Sequence, residues 1–328
     1  MADFAVSVFF TLSGFLITFL LLLEMKKTGT INIKSFYIRR ILRIWPLYYL
    51  YLLFVIIIMG TTANVTWVIL VYVFIIPNFR NSIAQFVGGA VTSLPAGNML
   101  IGHYWSLGVE EQFYAFWPWF IRRNKNILGF LIIFPLCYIL LKVLLNLFHA
   151  PYSVLVFVNY TRFGCMALGA LAAYIYFNHN SLIIKLNNRY LEIVAYLFFI
   201  LILFNKFKIS SAIDHEITSF FTIVLIISQI SNPRKLLSFE NPVFNFLGKI
   251  SFGLYVWNPL VIYLCSLLLA NVLPTLQLGA YATSIIVFIF CTIFIILISF
   301  LSYEYFEKRF LTLKKKFMIV KSSNSANG

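Results

Sequence analysis

Charge is scarce in this chain. Only 11% of its 328 residues are Asp, Glu, Lys or Arg, against about 25% in soluble domains. Acids are the scarcer sign, 10 Asp and Glu against 25 Lys and Arg. Cysteine is scarce too. Cys137, Cys165, Cys265 and Cys291 lie far apart in apolar segments, with no CxxC or Cys/His spacing. That excludes a disulfide framework and gives no expectation of a metal site. The first residues do not read as a cleavable signal, because a basic n-region and an A-x-A site are missing. No internal repeat is visible.

What is present is apolar surface. The chain is 62% hydrophobic and 19% aromatic, with mean hydropathy +0.92. Apolar segments fall near 4–23, 45–60, 65–77, 105–121, 127–148, 161–178, 191–204, 216–231, 250–273 and 279–303. A span needs about 17–25 such residues. The expected fold is all-α, a polytopic transmembrane helical bundle in a lipid bilayer. A net charge of +15 would suggest nucleic acid in a soluble protein. Here the basic residues cluster in short loops, so the positive-inside rule accounts for most of it and no nucleic-acid partner is expected.

Placing every basic loop inside tests the topology. Crossings agree in parity from Arg122 onward but fail between Arg43 and Arg122, so one intervening segment does not cross. The 65–77 stretch is the shortest and is assigned as a re-entrant or interfacial piece on the outer side, leaving about nine spans. The polar, Gly-rich run 78–104 then lies outside, as a loop or a buried plug. The same count puts Met1 outside with no exporting helix before it. Domain limits are 1–310 for the membrane domain and 311–328 for a basic, polar cytoplasmic tail.

One stretch stands out against this background. Gly102 to Phe120 carries Glu110, Glu111 and Gln112 side by side among aromatic residues. A carboxylate at bilayer depth costs roughly 2.5–3.5 kcal/mol, so it should be paired or line a cavity. Helical spacing puts Glu110, Tyr114 and Trp117 on one face. Ser106 is the expected N-cap, with the acids in the first turn, and Pro118 the expected kink or weakened end. The bland alternative is an interfacial helix whose acids face water.

Trp105-Ser106-Leu107-Gly108-Val109-Glu110-Glu111-Gln112-Phe113-Tyr114 closely resembles the W-S-L-x-V-E-x-Q-F-Y motif of the acyltransferase-3 family, integral membrane O-acyltransferases. Further matches run from about Phe9 to Phe310. Phe9 to Ile17 resembles the family's F-F-x-L-S-G-F-L-I helix, in which Ser13 and Gly14 suit close helix packing more than chemistry. Arg39, Arg40 and Arg43 sit in a stretch resembling its R-x-x-R signature. They either anchor the inner interface or, as the resemblance implies, grip the phosphates of an acyl-coenzyme A. Arg162 lies in a stretch resembling a helix that opens with arginine. It is expected to pair with Glu110 or to snorkel at the interface. Ile250 to Leu260 resembles I-S-Y-x-L-Y-L-W-H-x-P-L, with Tyr255 and Trp257 in place but Asn258 where His is usual, which removes a proton role there. Leu301 to Phe310 resembles S-Y-x-x-x-E-x-P-F, with Glu307 on the acid, expected to form a structural salt bridge. His103 adjoins the central motif, where it frames it by a hydrogen bond or assists proton transfer. His149, His179 and His215 are expected in solvated loops.

The resemblance implies transfer of an acyl group, acetyl from acetyl-coenzyme A, to a hydroxyl of a surface or lipid-linked glycan or glycolipid, in a bacterial cytoplasmic membrane. No permanently bound cofactor is implied. Glu110 would orient or charge-balance the base and Arg162 would contribute to the oxyanion. The alternatives are a transporter or flippase for a lipid-linked glycan, and an inactive truncated paralogue. The family's first helix carries an arginine and, about eleven residues later, a histidine taken as its base. That leads to the expectation of an upstream segment of about 20–30 residues, without which turnover would be slow.

Overall fold

The computed structural model describes residues 2–59, 69–79, 100–124, 126–178, 180–210, 212–269 and 279–318. Within the expected outer loop, positions 80–99 lie outside the described residues, as do Lys125, His179 and positions 319–328 of the tail. Among the described residues there is no strand. Long helices are α1 (Ala2–Thr28), α2 (Ile33–Met59), α3 (Trp105–Arg123), α4 (Ile127–Leu147), α6 (Phe163–Asn178), α8 (Arg189–Leu203), α9 (Asp214–Ser231), α10 (Pro242–Leu269) and α11 (Ala280–Ser302). Shorter ones are α5 (Tyr152–Thr161), α7 (Asn180–Leu186) and α12 (Lys308–Lys315), the last continuing α11 through a π-helical turn, Tyr303–Glu307.

Among the described residues, six helices are long and apolar enough to cross a membrane: 3–28, 33–58, 127–147, 152–178, 242–269 and 281–315. The short α5 and the longer α6 together form one such length, broken only at Arg162, whose φ is +44°. The other three helices of the expected count are α3, which carries two Glu and two Arg, the 15-residue α8, and α9, which opens on Asp214 and Glu216. Large apolar side chains face outward on the flank helices, as on α11, where Phe288 is 71% exposed. Such a face is stable in hydrocarbon and costly in water.

Helix α1 is the centre of the bundle, packing on α6, α9 and α3. Its crossing with α6 depends on two glycines. A Cβ at Gly14 would lie 2.0 Å from the Met166 carbonyl oxygen, and one at Gly169 2.0 Å from that of Thr11. Small residues let membrane helices approach to backbone contact, and the packing expected of Gly14 is found.

The described part of the 65–77 stretch is helical over 69–73 and then turns through Ile75, φ +57°, into a 3-10 turn at Pro77–Phe79. Its carbonyls are satisfied from α2. Tyr48 donates to the Tyr72 oxygen at 2.7 Å and Tyr49 to that of Val73 at 2.9 Å. Irregular backbone is tolerated at depth when protein groups satisfy it in this way. Pro77 also packs on α3 at Gly108, where a Cβ would come within 2.6 Å of the proline ring.

Candidate active site

Helix α3 begins at Trp105, directly after a 3-10 turn at Gly102–Tyr104. Its N-cap is Tyr104 and no side chain caps it, so the expected capping by Ser106 does not occur. Ser106 instead meets the Tyr255 hydroxyl at 2.8 Å. The helix starts early enough that both acids fall beyond its first turn, and it runs on through Pro118 to Arg123.

Glu110, Tyr114 and Trp117 share the face that packs on α1, and all three are buried. Glu110 Oε1 accepts from the Ser13 hydroxyl and, at 3.0 Å, from the Tyr114 hydroxyl. Ser13 Oγ and Tyr114 Oη lie 2.9 Å apart, closing a triangle of oxygens between the two helices. One turn on, Trp117 Nε1 donates to Thr18 Oγ1 at 2.8 Å. Buried polar groups of this kind are stable because their bonds are made within the protein. The Arg40 guanidinium stands over the Tyr114 ring at 5.2 Å, bringing α2 to the same point.

The family model described as an acyltransferase domain matches residues 1–304. The chain belongs to the acyltransferase-3 family. Its relatives include a Staphylococcus aureus (strain COL) protein named "Putative O-acetyltransferase SACOL0978", 28% identical over 78% of this chain and 45% of that protein. The "Peptidoglycan O-acetyltransferase OatA" of Listeria monocytogenes is 28% identical over 83% of this chain and 46% of its own length. The "O-acetyltransferase OatA" of Staphylococcus aureus strain NCTC 8325 is 26% identical, with 82% and 47% covered. The chain thus spans about half the length of these curated relatives. No solved structure matches it significantly.

The other motif residues of this acyltransferase-3 chain fall into three groups. At the Arg-rich end of α2, Arg39 is committed to structure, with an ion pair to buried Glu24 at 3.0 Å and a bond to the Phe317 carbonyl at 2.8 Å. Arg40 and Arg43 have no carboxylate within ion-pair distance among the described residues. They rest on aromatic faces instead, Arg40 on Phe36 and Tyr114, Arg43 on Phe252. Glu307 forms no ion pair there, contrary to expectation. It accepts from Ser302 at 3.2 Å in the π-helical turn, with Arg43 close enough to act on it electrostatically.

Around His103 the contacts are aromatic. Tyr51, Tyr104 and Tyr255 surround its ring, whose nitrogens are buried without a hydrogen-bond partner among the described residues. The framing bond is made by its main chain, which accepts from the Tyr255 hydroxyl. Trp257 packs on Tyr51 and Phe54. Asn258 is exposed and takes no part in this cluster, because the helix turns it away from buried Trp257.

Arg162 does not pair with Glu110. Its left-handed backbone swings the guanidinium toward the start of α1, where it meets the Asp3 carboxylate at 3.1 Å, the Asp3 carbonyl at 2.5 Å and Ser7 Oγ at 3.4 Å. His215 is likewise not in a solvated loop. It lies in the first turn of α9, with Nδ1 3.0 Å from Ser7 Oγ. Next to it, Lys142 and Glu216 form a buried pair at 2.5 Å. These polar residues were missed in the sequence. A lone Lys in the apolar run 127–147 is the signal that would have found the pair.

Proposed function

We propose that this domain carries an acyl group, acetyl from acetyl-coenzyme A, to a hydroxyl of a cell-surface or lipid-linked glycan. Membership of the family and the O-acetyltransferase names of its relatives support acyl transfer. The observation that carries the reading is the continuity from Arg40 through the Tyr114 ring and hydroxyl to Glu110 and Ser13. Arg40 and Arg43 hold the donor's phosphates, since a guanidinium free of carboxylates matches phosphate geometry. The basic loops put that end of α2 in the cytoplasm, where the donor is.

At the other end of this line the acceptor oxygen attacks the thioester carbonyl, the C–S bond breaks, and coenzyme A leaves with the proton that the hydroxyl gives up. An alcohol needs a proton acceptor to react at a useful rate. Glu110 takes that proton from the hydroxyl and passes it to the departing thiolate sulfur, and the Ser13 and Tyr114 hydroxyls fix which of its oxygens is engaged. His103 and the Tyr255–Ser106 contact hold the start of α3 and so set the position of Glu110. Radiolabelled acetyl-coenzyme A supplied to inverted membrane vesicles tests the reading. Label is expected in a base-labile ester on membrane glycan, and to be lost with Glu110→Gln. No labelled ester in vesicles holding folded protein, across donor and acceptor preparations, overturns it.

A further inference from the structure

A cavity of about 330 Å³ lies between α2, α3 and the 69–79 segment, with Arg40, Trp45, Glu111, Gln112 and Tyr114 on its wall and Phe74 to Ile76 on the opposite side. A second cavity of about 110 Å³ lies between α1, α2 and α12, bordered by Glu24, Arg39, Arg40 and Lys314. Arg40 belongs to both. The smaller space gathers three cations against one carboxylate, and that carboxylate, Glu24, is already taken by Arg39 and the Asn32 amide. It is suited to a multiply charged anion.

The larger cavity has a different chemistry. Its wall is mostly aromatic and aliphatic, and its polar groups are nearly all engaged. Gln112 exchanges both amide bonds with Asn78, at 3.1 and 2.7 Å. The Tyr37 hydroxyl donates to the Ala115 carbonyl. Glu111 Oε2 accepts from Trp45 Nε1 at 3.3 Å. Glu111 Oε1 is the exception, buried and without a hydrogen-bond partner among the described residues. A buried carboxylate oxygen left unmade is costly, and a ligand that supplies a donor removes that cost.

We infer that the larger cavity is the berth of the donor's pantetheine arm and that Glu111 accepts a hydrogen bond from one of its amide N–H groups. This rests on the donor site proposed above. The arm is a slender chain of methylene stretches interrupted by two amides, which fits an apolar channel with a lone acceptor. Arg40, shared by the two spaces, joins phosphate on one side to arm on the other. The thioester end then arrives at Tyr114, whose hydroxyl touches Glu110. Among the motif residues Glu111 is thereby a binding group, distinct from Glu110.

Two ligands separate the parts of this inference: coenzyme A, and adenosine 3′,5′-bisphosphate, which has a phosphate end and no arm. Affinities are read by titration calorimetry on the purified full chain in detergent, for wild type, Glu111→Ala and Arg40→Ala. Glu111→Ala is expected to weaken coenzyme A by about tenfold, one charge-assisted bond, and to leave the bisphosphate unchanged. Arg40→Ala is expected to weaken both. Coenzyme A affinity unchanged in Glu111→Ala, or equal weakening of both ligands, overturns the role of Glu111 while leaving the donor site standing. Coenzyme A affinity unchanged in Arg40→Ala overturns the donor site itself, and the inference with it.

Discussion

Arg40 stands over the ring of Tyr114 at 5.2 Å while the hydroxyl of the same tyrosine bonds Glu110 at 3.0 Å. One side chain thus has a face toward a cation and an edge toward a buried carboxylate, and the two contacts can be removed separately. Tyr114→Phe keeps the ring under Arg40 and deletes the hydroxyl. Turnover is expected to fall by about tenfold to a hundredfold, with donor affinity unchanged. Tyr114→Leu deletes both and should also raise the donor KM, because a desolvated cation–π contact is worth about 2 kcal/mol. Steady-state kinetics on both variants give the comparison. Equal kinetics for the two would separate Tyr114 from the donor site.

Arg39 and Arg40 are neighbours in different settings. Arg39 neutralises Glu24, which is almost fully buried. Arg39→Ala strands that carboxylate and is expected to lower stability by about 1–3 kcal/mol. Arg40 has no such partner, so Arg40→Ala should melt close to wild type and bind donor more weakly. Thermal unfolding in detergent and donor titration of both variants measure the contrast.

The Gly14–Gly169 crossing predicts a non-additive pair. Either glycine changed to Ala drives a Cβ into a backbone oxygen 2.0 Å away and forces α1 from α6, at a cost of about 1–3 kcal/mol. Once the helices have separated, the second substitution meets less resistance. The double variant is expected to lose clearly less than the sum of the singles, read from melting of all three.

Positive-inside counting places Thr28 in the cytoplasm and His149 outside. Both are exposed, one the last residue of α1 and the other between α4 and α5. Single cysteines at these positions, with Cys137, Cys165, Cys265 and Cys291 replaced, should differ in intact cells. An impermeant maleimide is expected to label position 149 and to spare position 28.

The helical bundle and the Glu110–Tyr114–Trp117 face were legible because hydropathy and helical period are local properties of sequence. The partners of the charged residues were not. Arg162 was expected either opposite Glu110, since both lie at the same end of their helices, or snorkelling at the interface. Its partner is settled by one left-handed residue that aims it at Asp3, and backbone hand at a non-glycine position leaves no pattern in sequence. Glu307 failed in a related way. A π-helical turn rotates it toward Ser302, away from the salt bridge that ordinary helical spacing suggests. Asn258 shows that a motif position need not face the site its neighbours build.

Lys142 and Glu216 provide the sharpest stability test. Both are buried, α4 holding the lysine and α9 the glutamate, and the ammonium also bonds the Ala212 carbonyl at 3.0 Å. Glu216→Gln leaves a cation in the interior facing an amide. Removing one partner of a buried pair costs about 3–5 kcal/mol, because the survivor keeps its desolvation penalty without its compensation. Replacing both, Lys142→Met with Glu216→Leu, removes both penalties and should recover most of the loss. Glu110 lies elsewhere, on α3 against α1, so acyl transfer in the double variant is expected to survive to the extent that the protein folds. Tryptophan fluorescence melts of the single and double variants decide it. A single variant as stable as wild type would mean that Lys142 reaches water, and the pair would then be an exposed ion pair with little effect on the fold.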